Sequence, residues 1–376
     1  MLFIGAFLAL TLLPGIQMLT RIASDEPVNE QRFLAPEPKT DDLSKLPARA
    51  NAWFSDHFGL RSLMIRIKAE IDYRVFRFSD RVHIGKDGYL FYRNTLDNNK
   101  PTIERKLEAA QPAMVRNLQH YAEALDRKGI RLIVSVNLLG DRFFPEKLPD
   151  DVASRTPLRR IDSFIEQIAA IPNLTFIDTT ALLRADEKVR PIFHRTDFHW
   201  NDPASFSTAK AMVAEIGRIE GRAQSPWSHE LKYDTREFSG GVALFMPLFH
   251  PLTEVSIFTH DNWKVPKGFK RDFNVGAYEK VTTSDPSNQG LLPKTYVIGD
   301  SFMDCIERNG FSEYFAETYR LRWGPNLTVS KITEAIPHGT RSMVWQFIEV
   351  NQPVFDGLAN TADVDDAIAI LEGKER

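Results

Sequence analysis

The sequence predicts an α/β domain built on a mostly parallel sheet with helices on both faces, and three observations predict it. Short apolar runs such as "RLIVSV" and "TYVIGD" recur between longer stretches whose apolar residues fall three or four apart. Runs and helical stretches alternate along the chain, which is the pattern of strand–helix–strand units rather than of successive hairpins. The composition, 43% hydrophobic and 26% charged over 376 residues, is that of a folded globular chain. That length admits one large domain or two ordinary ones, and the unbroken alternation favours one, over residues 51–376.

The elements follow in order. "MLFIGAFLALTLLPGIQML" (1–19) carries no charged side chain before Arg21, and it is long enough for a marginal span of a ~30 Å hydrocarbon core. No basic residue precedes it and no small-x-small site follows. Residues 1–21 are therefore expected to be an uncleaved signal anchor, with a cleaved signal peptide as the alternative. Residues 22–50 are polar and proline-bearing and read as a tether. From Asn51 to about Phe78 the apolar spacing is helical, through Trp53, Phe54, Phe58, Leu60, Ile65, Ile67 and Ile71. "GKDGYLFYR" (85–93) is a turn leading into a short strand. Leu107, Met114, Leu118, Tyr121 and Leu125 mark an amphipathic helix over 103–129. Strand 131–136 follows, and Asn137–Gly140 opens a loop.

A helix over 159–170 and the strand "LTFID" (174–178) repeat the unit. "NDPASFSTAKAMVAEIGRI" (201–219) is a third helix, with Asn201 or Asp202 as N-cap and Pro203 in its first turn. Residues 221–290 are less regular, rich in Pro, Gly and aromatics, and are expected to form an insertion over one edge. The strand 295–300 then runs into the helix opened by "SFMDCI", and "SMVWQFIEV" (342–350) is the last strand.

Composition also excludes some functions. A net charge of −3 gives no global basic field for nucleic acid. The single cysteine, Cys305, rules out an internal disulfide and a cysteine-based zinc site.

In open α/β sheets, sites lie beyond the carboxyl ends of the strands. Ser301 is at such an end, where Gly299-Asp300-Ser301 closes an apolar strand and opens a helix. Its place in the first turn favours developing negative charge on a bound group. A serine hydroxyl needs a neighbouring base to take its proton, and that base works best when a carboxylate fixes its tautomer. "RTDFHWND" (195–202) supplies both: in extended chain Asp197 and His199 point to one side, ~6.5–7 Å apart along the backbone. A rival use of the same stretch is a metal site of His194, Asp197 and His199. That reading leaves Gly299-Asp300-Ser301 without a role. A non-catalytic polysaccharide-binding subunit is a third reading.

The Gly-Asp-Ser turn resembles the nucleophile block of the SGNH hydrolases, but here the Asp–His pair precedes the serine and is separated by one residue. That inverted order resembles the alginate O-acetyltransferase family of AlgJ and AlgX, whose SGNH hydrolase-like domain is circularly permuted. "NEQRFLAPEP" (29–38), "GKDGYLFY" (85–92), "FPEKLP" (144–149) and "EFSGG" (237–241) match further pieces in the family's order. The resemblance implies a catalytic Ser301, His199 and Asp197 in a three-layer fold, with no cofactor and no metal. It implies polysaccharide O-acetylation through an acetyl-serine, with a carbohydrate acetyl esterase using the same triad as the alternative. It also implies a periplasmic location, a membrane-bound O-acyltransferase that supplies acetyl groups, and other exopolysaccharide-secretion proteins as partners. Too few residues follow the last strand for a carbohydrate-binding module, so AlgJ is the nearer pattern.

The chain departs from the family where "NLLGDRF" replaces a loop with proline and lysine, and where Gly240-Gly241-Val242 replaces Gly-Asp-Leu. Those departures leave open alginate, cellulose or another exopolysaccharide as acceptor. Weaker candidates are Asn137 as an oxyanion donor, Arg322 or Arg341 for a sugar carboxylate, Trp200 as a sugar platform, and Cys305, expected to face the core. The aromatic-rich 221–290 segment is expected to wall the acceptor groove and to be dispensable for hydrolysis of a small ester.

Overall fold

The structure is a computed structural model, and it describes residues 2–21, 28, 32–153, 160–260 and 265–373. The first strands are β1 (Val82–Ile84), β2 (Leu90–Tyr92), β3 (Arg131–Asn137) and β4 (Leu174–Ile177). Then come β5 (Tyr233–Phe238), β6 (Glu254–Thr259), β7 (Lys270–Val275) and β8 (Tyr278–Thr283). The last three are β9 (Thr295–Gly299), β10 (Glu317–Arg322) and β11 (Ser342–Ile348).

Seven of these strands make the central sheet, in the order β4-β3-β11-β9-β10-β8-β7. From β4 to β10 all neighbours are parallel, and β8 and β7 add an antiparallel edge. The central position of β9 and β11 explains their unbroken apolar runs, because strands covered on both faces need no polar alternation. One helical layer contains Lys100–Arg127, Arg160–Ala169, Gln352–Ala359 and Thr361–Glu372, packed on one another. Helices Thr179–Glu187, Asp202–Ile219 and Ser301–Arg308 form the other. The largest buried side chains lie between these layers, among them Tyr121, Trp345, Phe302, Phe347 and Phe355.

Most expected elements are present, with three differences. The helical stretch 51–78 is two helices, Leu46–His57 and Arg61–Phe76. They break at Gly59, where a Cβ would run into the Pro14 carbonyl and sit 2.8 Å from the Gln17 Cβ, and at Leu60, whose φ is +64°. Strand β10 was not read in the sequence. The 221–290 segment, expected as an insertion over one edge, is in part that edge: β5 and β6 form a separate two-stranded hairpin, whereas β7 and β8 extend the main sheet.

Residues Leu2–Thr20 are helical, with Phe3, Ile4, Phe7, Leu12 and Leu19 exposed. Among the described residues, which leave out the side chains of Leu2, Ala6, Ala9 and Leu10, no helix is long and apolar enough to cross a membrane. Of the expected tether, residues 22–27 and 29–31 lie outside the described residues.

Candidate active site

The serine is mounted from inside the sheet. β9 is buried along its whole length and ends at Gly299, where a Cβ would lie 2.6 Å from the Cβ of Met303. Only glycine lets the next helix start this close to the strand. Asp300 is the N-cap of that helix, its Oδ1 accepting from the Phe302 N–H at 3.0 Å. The same carboxylate accepts from the Ile348 N–H at 2.7 Å, Gln346 Nε2 at 3.1 Å and Asn351 Nδ2 at 3.2 Å. Its backbone N–H donates to Gln346 Oε1 at 3.1 Å, and its carbonyl accepts from Arg320 Nη2 at 3.1 Å. Burial pushes the Asp300 carboxyl up, and the four donors work against that rise. Asp300 is thus an anchor. It locks the turn so that Ser301 is the first helical residue, with an N–H that has no acceptor among the described residues. Such an N–H is a ready donor to an oxyanion.

The histidine loop is mounted from outside the sheet. A lone antiparallel bridge, Phe193 to Trp200, pinches the loop at its base, and the Asn201 N–H closes it on the Ile192 carbonyl at 3.1 Å. At its tip, the Thr196 N–H and hydroxyl both donate to Glu254 Oε1 at 2.8 Å, so a buried carboxylate on β6 grips the residue before Asp197. The Gly240 N–H returns to Thr196 Oγ1 at 3.0 Å, and the Gly241 N–H donates to Asp197 Oδ2 at 2.8 Å. A Cβ at Gly240 would overlap the Thr196 carbonyl and lie 2.6 Å from the Asp197 Cβ, so this approach also requires glycine.

Held this way, Asp197 Oδ1 lies 2.8 Å from His199 Nδ1, and His199 Nε2 lies 2.7 Å from Ser301 Oγ. A carboxylate can only accept, so Nδ1 carries the proton and donates to Asp197. In the neutral ring Nε2 then accepts from the Ser301 hydroxyl. Burial pushes the Asp197 carboxyl up, but the hydrogen bonds from His199 and Gly241 outweigh it and hold it at about 2. The arrangement can draw a proton from Ser301 and stabilise the imidazolium that results.

The three residues open onto a cleft with about 2020 Å³ of empty space, whose walls include Arg236, Phe238, Phe258 and Arg308. The weaker sequence candidates fare unevenly. Asn137 is fully buried, its Oδ1 accepting from Gln346 at 2.9 Å, and it does not line the cleft. Arg322 is paired with Glu279 and Asp304, Arg341 lies 3.8 Å from Glu220, and neither lines the cleft. Trp200 lies at the cleft but is fully buried beside Phe302, so it serves as packing. Cys305 borders the cleft, but burial pushes its thiol up to about 12, with Arg308 Nη2 3.0 Å from its sulfur. His194 faces Ser256 Oγ at 2.6 Å between Phe238 and Phe258. Among the described residues no group of three His, Cys, Asp or Glu side chains could hold a metal ion.

Sequence reasoning missed Asp300 as an anchor and Glu254 as the grip on the loop. Only the glycine pair in "EFSGG" gave a hint, as an unexplained piece of the family pattern.

Residues 82–242 match the family described as SGNH hydrolase-like domain, acetyltransferase AlgX. This stretch holds Asp197, His199 and Gly241, and stops before Ser301. The chain is 23% identical over 251 residues to the probable alginate O-acetylase AlgJ of Pseudomonas syringae pv. tomato. That match takes in 66% of this chain and 60% of the relative, so it spans less than two thirds of the relative's length. Among solved structures, the O-acetyltransferase domain of Pseudomonas putida AlgJ aligns with a TM-score of 0.45 at 14% identity, over 74% of this chain and 98% of that one. Pseudomonas aeruginosa AlgX aligns with a TM-score of 0.46 at 15% identity, over 78% and 68%. Residues 82–242 thus match an AlgX-type SGNH hydrolase-like domain, and across about two thirds of its length the chain is similar to an AlgJ protein.

Proposed function

We propose that this protein is a polysaccharide O-acetyltransferase of the cell envelope, passing acetyl groups to an exopolysaccharide such as alginate through Ser301. The observation that carries this reading is the line from Asp197 through His199 to Ser301 Oγ, with steps of 2.8 and 2.7 Å. The AlgX-type profile and the relative named as an alginate O-acetylase support it.

In the first half-reaction, Ser301 Oγ attacks the carbonyl of the acetyl donor while His199 Nε2 takes its proton. The oxyanion faces the free N–H of Ser301, and Asp197 steadies the imidazolium through Nδ1. Collapse expels the leaving group, which takes the proton from Nε2, and leaves acetyl-Ser301. In the second, an acceptor hydroxyl gives its proton to Nε2 and attacks the acetyl carbonyl. Expulsion of Ser301 Oγ, reprotonated by His199, completes transfer.

Water is the competing acceptor at ~55 M, and well-oriented groups reach effective molarities of ~10⁵ M or more. A cleft of this size beside Ser301 is where an acceptor would gain that advantage. The test is incubation of the protein with a chromogenic acetyl ester and sugar oligomers, with products read by mass. Acetylated oligomer in excess of free acetate is the expected result, and acetate alone with every oligomer would make the protein an esterase.

The proposal extends to place and partners: a periplasmic domain held at the inner membrane by residues 1–21, served by a membrane-bound O-acyltransferase and other exopolysaccharide-secretion proteins. The apolar helix Leu2–Thr20 motivates the first part. The protein should then sediment with inner membranes and resist high-salt extraction, and a mature form cleaved near residue 24 would overturn the anchor.

A further inference from the structure

The helix Arg61–Phe76 is apolar on two opposite faces, and the fold uses one of them. On the inner face Ala69 and Tyr73 pack against the cluster that holds Val242, Phe245 and Leu248, and Arg66 Nη1 donates to the Leu248 carbonyl at 2.7 Å. On the outer face Met64, Ile67, Ile71 and Val75 follow one another three or four residues apart, which sets them in one stripe along the helix. All four are between 45% and 68% exposed, and Phe76 and Phe78 at the helix end are exposed as well. A helix that needed only its inner face would carry polar residues along this stripe. Contiguous apolar surface left open to solvent marks a contact made with something else.

Two observations say what that contact is. The first is the neighbour. Gly59, two residues before the helix, is buried against the apolar helix Leu2–Thr20, where a Cβ on it would sit 2.8 Å from both the Gln17 Cβ and the Met18 N. Gln17 and Met18 precede Thr20 by three and two residues, so at 1.5 Å per residue this contact lies within about 5 Å of the helix end. With residues 1–21 spanning a bilayer, that end is at the headgroups, where interfacial amphipathic helices lie ~5–10 Å deep. The second observation is charge. Residues 61–81 hold six Arg and Lys against three Asp and Glu, a positive stretch on a chain of net charge −3. Lys68 and Arg74 flank the stripe on opposite sides, with side chains 64% and 67% exposed. Lys68 pairs with Asp72 and Arg74 with Glu70, but pairs with so exposed a cation are weak and leave it open to anionic headgroups. Long basic side chains in this position cover the apolar edge with their stems and reach the headgroups with their tips.

We infer that the outer face of helix Arg61–Phe76 lies in the surface of an anionic lipid bilayer, as a second membrane contact beside residues 1–21. This rests on the reading of those residues as an anchor and goes beyond it. The domain is then seated on the bilayer rather than hung from a free tether. The inner face packs on Val242 and Phe245, which follow the glycine pair holding Thr196 and Asp197. Seating the helix therefore also sets how the cleft is turned toward the membrane.

The experiment places the full chain in vesicles of phosphatidylethanolamine and phosphatidylglycerol, with a polarity-sensitive fluorophore on one introduced thiol at a time. Cys305 is buried, and unmutated protein treated alike supplies the background. Labels at Ile67→Cys and Ile71→Cys should shift to the blue and lose fluorescence to lipids spin-labelled near the headgroup. A label at Glu230→Cys, an exposed position elsewhere on the chain, should do neither. A label at Phe7→Cys reports on the anchor, through quenching by spin labels deep in the acyl chains. Ile67→Asp combined with Ile71→Asp, both on the exposed face, should leave melting close to wild type and abolish the blue shift of a label at Val75→Cys. Replacing phosphatidylglycerol by phosphatidylcholine should shrink the blue shifts, and equal shifts in both would overturn the part given to the cations. Labels at 67 and 71 that stay in water while the Phe7 label is deeply quenched would overturn the inference and leave the anchor standing. Labels shielded from aqueous iodide yet untouched by spin-labelled lipid would also overturn it, by showing that residues 22–31 or a second copy cover the face. A Phe7 label that never meets the acyl chains would instead overturn the anchor, and the surface contact with it.

Discussion

The Ser301 turn is fixed by groups from the sheet and its flanking helix, whereas the Asp197 loop is fixed by the β5–β6 hairpin and the glycine pair that follows β5. Asp300 draws on Phe302, Gln346, Ile348 and Asn351, all in or beside the core strands. Thr196 and Asp197 draw on Glu254, Gly240 and Gly241, all from the segment expected to be an accessory wall. The Ser301 turn is therefore as rigid as the fold, and Asp197 and His199 are as rigid as the docking of one hairpin. The expectation that 221–290 could be removed without harm to small-ester hydrolysis is corrected accordingly, since removal would strip Asp197 and Thr196 of three hydrogen-bond partners.

The largest effects should come from the two ends of the proton path. Ser301→Ala and His199→Ala should fold, with melting close to wild type, and lose acetyl-ester turnover by ~10⁴-fold or more, as coupled triad members do. Folded Ser301→Ala with near-normal turnover would remove the serine from the chemistry altogether.

A smaller effect sharpens the contrast between the two mounts. Glu254→Ala leaves the Thr196 N–H and hydroxyl without their acceptor, and should cost about 1–3 kcal/mol of stability. Turnover should fall by about ten- to a hundredfold through misplacement of the loop, and Glu254→Gln, which keeps one acceptor oxygen, should recover most of it. Unimpaired turnover by Glu254→Ala would show that the hairpin does not hold the acid after all.

The smallest effect is one of pH. The Asp197 carboxyl lies at about 2 in the folded state, below the ~3.9 usual for an unfolded chain. A depressed carboxyl adds stability that is present above the unfolded value and is lost as pH falls through the folded one. The gain is on the order of 2 kcal/mol, at ~1.4 kcal/mol per unit. Urea denaturation should show the stability gap between wild type and Asp197→Asn shrinking as pH falls from about 4 toward 2. A gap that stays constant over this range would mean the ionised carboxylate is not what the hairpin stabilises.

The same contrast explains what could be read from the sequence. The alternation of elements, the strand ending at Gly299 and the Asn201 cap are local, and each leaves a pattern within a few residues. Asp197 and His199 were legible because their partnership is also local. Glu254 lies 58 residues beyond Thr196, on a strand whose spacing says nothing about a carboxylate facing inward. Strand β10 escaped notice because "ETYRLR" is half charged, although Arg320 is buried by its hold on the Asp300 carbonyl. Arg322 and Arg341 have only their residue type to suggest a sugar contact, and both lie outside the cleft.

The anchoring of Asp300 also bears on timing. Three of its four donors, Gln346, Ile348 and Asn351, follow it by 46 to 51 residues. A chain made from its N-terminus holds Ser301, His199 and Asp197 well before the strand that fixes the serine turn exists. Until that strand slots in between β3 and β9, the carboxylate that shapes the turn has no donors from it. The contacts that shape the Ser301 turn therefore cannot all form until the chain has been made through Asn351, 50 residues past the serine they hold.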